Sequence, residues 1–266
     1  MSSKPFAVVI LAAGKGKRMG IKEQKACIPV GGKPMIVHVL SAAFALRPAT
    51  TIVVVGHDAD TLRDAVRSHI KDTLQFVHQK EQLGTGHALL TAHPLLSKFY
   101  GDILVLYADI PLIGTNTLKN LLSTHQRKNA IVTILTAHLH DPHGYGRIKR
   151  DAQGYVSSIV EEKDATEAEK KIREINSGIY CFRANKLWEA LPLITNNNAQ
   201  REYYLTDVIP LLAENGEKIH SVASRNSREL LGINTNEQLE EARKILSDKY
   251  RMSPFDESSK YDIVRV

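Results

Sequence analysis

The sequence predicts an α/β fold: a parallel sheet with helices on both faces, and a hairpin inserted beyond the sheet. Three observations predict it. Apolar, β-branched runs alternate with amphipathic segments through the first half of the chain, the order expected of a parallel sheet covered by helices on both faces. Runs such as "TIVVV" and "DILVLY" are apolar throughout, as strands buried on both sides must be. After Ala137 the alternation gives way to two short strand candidates around a turn at Ala152–Gly154.

In chain order, the strands fall at Phe6–Leu11, Thr51–Val55, Leu74–His78, Ile103–Tyr107 and Ala130–Leu135. Helices at Met35–Leu46, Ala59–Ser68, His87–Leu96 and Asn116–His125 lie between them, with right-handed crossovers. "GYGRIKRDAQGYVSSIVEE" reads as a hairpin inserted beyond the sheet. "NSGIYCFRA" returns to a strand and leads into a helix from Asn185. "YLTDVIPLLAENG" is a helix ended by Asn215-Gly216, and "KIHSVAS" is a further strand. Asn236 caps a last helix through "EQLEEARKILSDKY", after which "RMSPFDESSKYDIVRV" lacks any period and reads as a loose tail.

The chain has 266 residues and a net charge of +6, which favours anionic partners. The basic residues are spread along the chain with few aromatics among them. The charge does not choose between nucleic acid and phosphorylated small molecules, but no nucleic-acid motif is present. The two cysteines, Cys27 and Cys181, make no metal spacing and fit a reduced, cytoplasmic setting. The N-terminal apolar run is too short to span a membrane. No G-x-S-x-G elbow and no HExxH pair points to nucleophilic or zinc chemistry.

In an open parallel sheet, ligands bind where strands end at their carboxyl edge. The loops after Leu11, Val55, His78 and Tyr107 should therefore line the site; they read "AAGKGKRMG", "GHDAD", "QKEQLGTG" and "ADIPL". The first fails both G-x-G-x-x-G and the Walker pattern. It is either a plain βα turn or a phosphate cradle of backbone N–H groups, with Lys15, Lys17 and Arg18 supplying charge. Asp109 stands just past a buried strand and either ligates magnesium or caps the next turn. Around Thr85, Gly84 and Gly86 either let the backbone approach a base or phosphate, or simply precede a capped helix. Taken alone, Asn234 in "INTN" reads as a turn and Lys25 as a solvated lysine.

Eight blocks in register resemble one family. They are "LAAGKGKRM", "EQLGTGHA", "YADIPLI", "DPHGYGRI", "IVEEKDAT", "EINSGIY", "NNNAQREYYLTD" and "GINTNEQL", spanning roughly Val8 to Ala242. They are similar to the sugar-1-phosphate nucleotidyltransferases, most closely to the uridylyltransferase domain of the bacterial bifunctional N-acetylglucosamine-1-phosphate uridylyltransferase/glucosamine-1-phosphate acetyltransferases. The resemblance implies a Rossmann-like, mostly parallel sheet flanked by helices, with an inserted β-rich sugar-binding lobe (the nucleotide-diphospho-sugar transferase fold), in a single nucleotidyltransferase domain over residues 1–250. Within it lie a nucleotide-binding part of about 1–137, a sugar-binding lobe of about 138–235 and a C-terminal helix of about 236–250, followed by the tail 251–266. The implied reaction is UTP plus N-acetylglucosamine 1-phosphate giving UDP-N-acetylglucosamine and pyrophosphate, with Mg2+ as cofactor.

Carried over by position, Leu11, Ala12, Ala13 and Gly14 would hold the nucleotide, and Gln79, Gln82, Gly84 and Thr85 would read the uracil. Arg18 and Lys25 would face the phosphates as the catalytic cations. Tyr107, Gly146, Glu161, Asn176 and Thr206 would line the sugar side, and Asp109 and Asn234 would bind magnesium.

The chain departs from the family in three places. "EQKAC" stands where Pro-Lys and two aliphatic residues are usual, so Gln24 replaces a proline. Arg201 stands where glycine is common. Only 32 residues follow Asn234, with no hexapeptide repeat, so acetyl transfer and the trimer it supports are not expected; a monomer or weak oligomer is. The alternatives kept open are another sugar 1-phosphate as substrate, or a catalytically silent nucleotide-sugar-binding regulator.

Overall fold

Residues 4–14 and 24–252 are described by the structure, a computed structural model of the chain. The first unit runs β1 (Phe6–Ala12), β2 (Pro29–Val30), β3 (Lys33–Pro34), α1 (Met35–Phe44), β4 (Thr50–Val55), α2 (Ala59–Arg67) and β5 (Gln75–His78). Then come α3 (Thr85–Leu90), α4 (His93–Leu96), β6 (Asp102–Tyr107), α5 (Thr115–Arg127) and β7 (Val132–His138). The hairpin β8 (Gly146–Arg150) and β9 (Val156–Val160) precedes β10 (Glu174–Arg183), α6 (Ala184–Ala190), α7 (Val208–Glu214), β11 (Ile219–Ala223) and α8 (Asn236–Met252).

β1 is the middle of the sheet because every residue of FAVVILA can be buried, and all seven are. It pairs in parallel with β4 on one side and β6 on the other. Its side chains alternate with the pleat. Ala7, Val9 and Leu11 enter one core with α3, α4, α6 and α7. Phe6, Val8, Ile10 and Ala12 enter a second core with α1, α2 and α5. The sheet order is β11-β7-β10-β6-β1-β4-β5, and β10 runs antiparallel to both β6 and β7.

A third apolar cluster fixes the last helix. Leu239, Ala242 and Leu246 of α8 pack with Ile28, Val30 and Met35 around the β2–β3 hairpin. Just before α8, the Ile233 N–H donates to the Asp109 carbonyl at 2.9 Å. These contacts bring the far end of the chain to the loop after β6.

Several elements differ from the sequence expectation. The expected helix His87–Leu96 is two helices, because Pro94 has no N–H for a helix interior and sits instead in the first turn of α4. The strand expected at Ala130–Leu135 runs from Val132 to His138. The hairpin β8–β9 is not beyond the sheet: β8 pairs with the first residues of β10. The cap of α8 is Thr235, not Asn236. Its Oγ1 accepts from the Gln238 N–H, and Gln238 Oε1 accepts from the Thr235 N–H, a reciprocal capping box. The β2–β3 hairpin was not anticipated, although Gly31 and Gly32, both at positive φ, form the two-residue turn that such a hairpin favours. The loose tail expected at 251–266 lies, from residue 253 on, outside the described residues. Among the described residues no helix is long and apolar enough to cross a membrane.

Candidate active site

Three strands end at one cleft of about 550 Å³. From β1 it takes Leu11, Ala12, Ala13 and Gly14; beyond β5, Gln79, Gln82, Gly84 and Thr85; and from the end of β6, Tyr107, Ala108 and Asp109. Lys25 and Asn234 also line it. The loop after β4 does not, contrary to expectation. Its Gly56 instead packs so tightly on Ala13 that a Cβ there would lie 2.6 Å from the Ala13 carbonyl oxygen.

Gly14 has the opposite surroundings. Among the described residues a Cβ at Gly14 would meet nothing within 4 Å, and Gly14 itself lines the cleft. Lys15, Lys17 and Arg18 lie outside the described residues.

Lys25 sits in a 3-10 turn, Lys25–Cys27, whose cap is Gln24. Gln24 is buried; its Nε2 donates to the Ala12 carbonyl at 3.1 Å and its Oε1 accepts from the Ala26 N–H at 3.3 Å. The amide thus ties the Lys25 turn to the carboxyl end of β1. The Lys25 ammonium donates to Asp109 Oδ2 at 2.6 Å and to Asn234 Oδ1 at 2.9 Å. The expected phosphate-facing lysine therefore lies between the two expected metal ligands. Asn234 is itself held by α8, since Gln238 Oε1 accepts its backbone N–H at 2.6 Å.

The glycines of "LGTGHA" serve a purpose that the sequence did not disclose. Gly84, at φ +115°, and Gly86 pass against the backbone of Tyr203; a Cβ on Gly84 would lie 2.6 Å from the Tyr203 carbonyl oxygen. The Gly86 N–H donates to that oxygen at 2.8 Å. Thr85 Oγ1 accepts from the Leu205 N–H at 3.0 Å, so it does not cap its own helix. This docking brings Gln200 and Glu202 onto the cleft wall, two residues the sequence reading did not single out.

Gly146, Glu161, Asn176 and Thr206 form an adjoining group. Thr206 Oγ1 donates to Glu161 Oε1 at 3.2 Å, and a Cβ on Gly146 would stand 3.4 Å from Glu161 Oε2 and 3.5 Å from the Asn176 Cβ. Burial raises the Glu161 carboxyl above the ordinary carboxylate range; the Thr206 hydrogen bond opposes this, while Asp207 and Asp164 add to it. Tyr107 joins this group to the cleft. Burial pushes its phenol well up, a Thr85 hydrogen bond opposes that, and the charges of Glu161 and Asp109 reinforce it. Its ring lies over Gly178, where β10 bulges between Asn176 and Tyr180 and a Cβ would come within 3.1 Å of the ring.

A central parallel sheet with one antiparallel strand, a β-rich lobe and a cleft at the carboxyl strand ends define the nucleotide-diphospho-sugar transferase fold. Two solved structures share it. The crystal structure of apo UDP-glucose pyrophosphorylase matches with a TM-score of 0.76 at 20% identity, covering 92% of this chain and 99% of that one. The complex of UDP-glucose pyrophosphorylase with UDP-glucose matches with a TM-score of 0.75 at 19% identity and the same coverage. The chain belongs to the nucleotidyl transferase family, whose model matches residues 7–229. Among curated proteins it is 46% identical over 238 residues to the Bifunctional protein GlmU of Enterococcus faecalis, covering 90% of this chain and 51% of that protein. It is 47% identical over 234 residues to that of Brevibacillus brevis, covering 88% and 50%. The chain thus spans about half the length of the curated relatives it matches.

Proposed function

We propose that this chain is a uridylyltransferase that converts UTP and N-acetylglucosamine 1-phosphate to UDP-N-acetylglucosamine and pyrophosphate with magnesium. The observation that carries the reading is the meeting of Lys25, Asp109 and Asn234, from three distant parts of the chain, on the wall of one cleft that Gly14, Gln79 and Gln82 also line. Membership of the nucleotidyl transferase family supports it.

Asp109 and Asn234 fit a magnesium ion. Both present hard oxygen donors, and both already turn them toward one cation, the Lys25 ammonium. Among the described residues no group of three or more His, Cys, Asp or Glu stands ready for a metal. That suits an ion that takes one or two protein oxygens and completes its shell with phosphates and water. When bound, magnesium would supply Lewis acidity and a template for the two phosphates.

The remaining work falls to the chain. A phosphate oxygen of the sugar phosphate attacks the α-phosphorus in line, the bond to the β-phosphate oxygen breaks, and pyrophosphate leaves with the electron pair. A phosphate dianion is already a nucleophile, so no protein acid or base is required. Gly14 leaves room for the triphosphate beside the backbone, and Lys25 and Arg18 neutralise charge that grows in the transition state. Gln79, Gln82, Gly84 and Thr85 receive the uracil; Tyr107, Gly146, Glu161, Asn176 and Thr206 receive the sugar. In this reading residues of about 1–137 bind nucleotide, those of about 138–235 bind sugar, and the helix of about 236–250 delivers Asn234. The protein works in the cytoplasm as a monomer or weak oligomer on small molecules, with neither nucleic acid nor membrane as partner, and its product is a cell-envelope precursor.

The test is pyrophosphate release by the purified chain, expected only when UTP, N-acetylglucosamine 1-phosphate and magnesium are all present. Asp109→Ala should lower kcat by at least a hundredfold. A rate within threefold of wild type would overturn the assignment of Asp109.

A further inference from the structure

We propose that His87, together with the Gly84 carbonyl, fixes the hydrogen-bonding polarity of Gln79 and so makes the cleft favour a base with an N–H donor, uracil, over one with a lone pair at the same place, cytosine. The inference rests on the reading above that Gln79 meets the base. In the sequence His87 is only a member of the block "EQLGTGHA", with no role of its own.

Gln79 follows β5 directly, and its own N–H donates to the Val55 carbonyl at 2.8 Å. Its side chain lies on the cleft wall, and the residue is only 2% exposed. Nε2 stands 3.1 Å from the Gly84 carbonyl oxygen and 2.9 Å from His87 Nδ1. A carbonyl oxygen only accepts, so the atom facing it is the amide nitrogen. That nitrogen carries two hydrogens and accepts nothing. Toward His87 it must therefore donate, and Nδ1 must be the bare ring nitrogen, with the proton on Nε2.

Both amide hydrogens are thereby used. What Gln79 retains for the cleft is its oxygen, an acceptor. Turning the amide over would set that oxygen against the Gly84 carbonyl, and would also demand that the His87 proton move from Nε2 to Nδ1. Uracil offers N3–H to such an oxygen, whereas cytosine offers a lone pair and would leave two acceptors facing each other. A site built to hydrogen-bond one group rejects the analogue that cannot return the bond. His87 is itself held because its neighbours in α3, Ala88 and Leu89, are buried in the core. It touches the base only through Gln79 and is a positioning residue. The Gly84 carbonyl remains when His87 is changed, so the preference should weaken and not vanish.

The experiment compares kcat/KM for UTP and CTP, each with N-acetylglucosamine 1-phosphate, in wild type, His87→Leu, His87→Asn and Gln79→Ala. His87→Leu should lower the UTP-to-CTP ratio about fivefold, the scale of one net hydrogen bond, through KM for the triphosphate with kcat little changed. His87→Asn, whose side-chain oxygen can take the place of Nδ1 as acceptor, should restore most of the ratio. Gln79→Ala should lower it at least as far as His87→Leu does. If Gln79→Ala lowers the ratio and His87→Leu leaves it within twofold of wild type, His87 does not act as proposed, while the uracil reading stands. If neither variant changes it, both fall. A readout that needs no variant is the tautomer of His87 in the wild-type protein at pH 8, read from nitrogen NMR. The proton is expected on Nε2, and a proton on Nδ1 would overturn the proposal.

Discussion

The Lys25 ammonium stands 2.6 Å from Asp109 Oδ2, although the two residues are 84 positions apart in the chain. The same nitrogen reaches Asn234 Oδ1 at 2.9 Å. The lysine side chain is 10% exposed and the aspartate 27%, so this is a partly buried ion pair. A cation that sits on two oxygens competes with any other cation for them. Lys25 therefore has two effects in the proposed enzyme: it neutralises substrate charge, and it opposes metal binding until substrate draws it away.

Lys25→Met separates those effects. Without the ammonium, Mn2+ binding to the nucleotide-free protein, followed by electron paramagnetic resonance, should tighten about ten- to a hundredfold, since charge-assisted hydrogen bonds are worth about 1.5–3 kcal/mol. Pyrophosphate release should nonetheless fall at least a hundredfold. Unchanged Mn2+ affinity would mean that Asp109 and Asn234 do not hold the metal.

Gln24 supplies by hydrogen bonding the stiffness that a proline would supply covalently. Its φ of −61° is the value a proline ring imposes. Gln24→Ala keeps neither the bond to Ala12 nor the cap on Ala26, and should lower kcat about tenfold and stability by about 1 kcal/mol. Gln24→Pro should keep the aim of Lys25 and stay within threefold of wild-type kcat. Equal losses in the two variants would show that loop stiffness is not what matters at this position.

Local physics made the parallel half of the sheet legible. β1 could only be a strand buried on both faces, and Asp109, directly after an apolar strand, stands out as either a metal ligand or a turn cap from its position alone. Residues whose meaning lies in a distant partner were not legible in the same way. Gly84 and Gly86 suggested backbone approach to a ligand, yet the backbone they approach is that of Tyr203. Asn234 alone read as a turn; only the packing of Leu239, Ala242 and Leu246 around the β2–β3 hairpin carries it to Asp109. Gln24 stands in the sequence only as the loss of a proline, because its two hydrogen bonds cannot be read from a string of letters. Asn236 and Thr235 are both good capping residues, and the reciprocal bonds with Gln238 decide for Thr235.

Arg201 holds φ at +54°, a left-handed conformation that a side chain with a Cβ adopts at a cost of about 1–2 kcal/mol. Its N–H donates to the Asn198 carbonyl at 3.0 Å, which closes the turn that sets Gln200 and Glu202 on the cleft wall. Arg201→Gly should relieve the strain, less the extra freedom glycine gives the unfolded chain, for a net gain of about 0.5–1 kcal/mol. Thermal melts should show Tm higher by about 1–4 °C. Arg201→Ala keeps a Cβ and should gain nothing; an equal gain in both variants would locate the effect in the lost charge.

Asp207 stands at the amino end of α7, where a helix favours a negative charge by about 0.3–1 kcal/mol. Burial opposes this and wins, and the charge of Asp164 adds to it, so the carboxyl is raised from 3.8 to about 6. Between those two values the folded protein keeps a proton that the unfolded chain has released. Stability therefore falls as pH rises through this window, and the loss is complete above about pH 6. Asp207→Asn cannot ionise. After discounting for partial exposure, it should be more stable than wild type by about 1 kcal/mol at pH 7.5, or about 2–4 °C in Tm. The difference should shrink as the pH falls toward 3.8, where the folded wild type holds this proton throughout and the unfolded chain holds it about half the time. Melts of the two proteins at pH 4, 5.5 and 7.5 test this, and a difference that does not change with pH would assign the gain to packing and not to the buried charge.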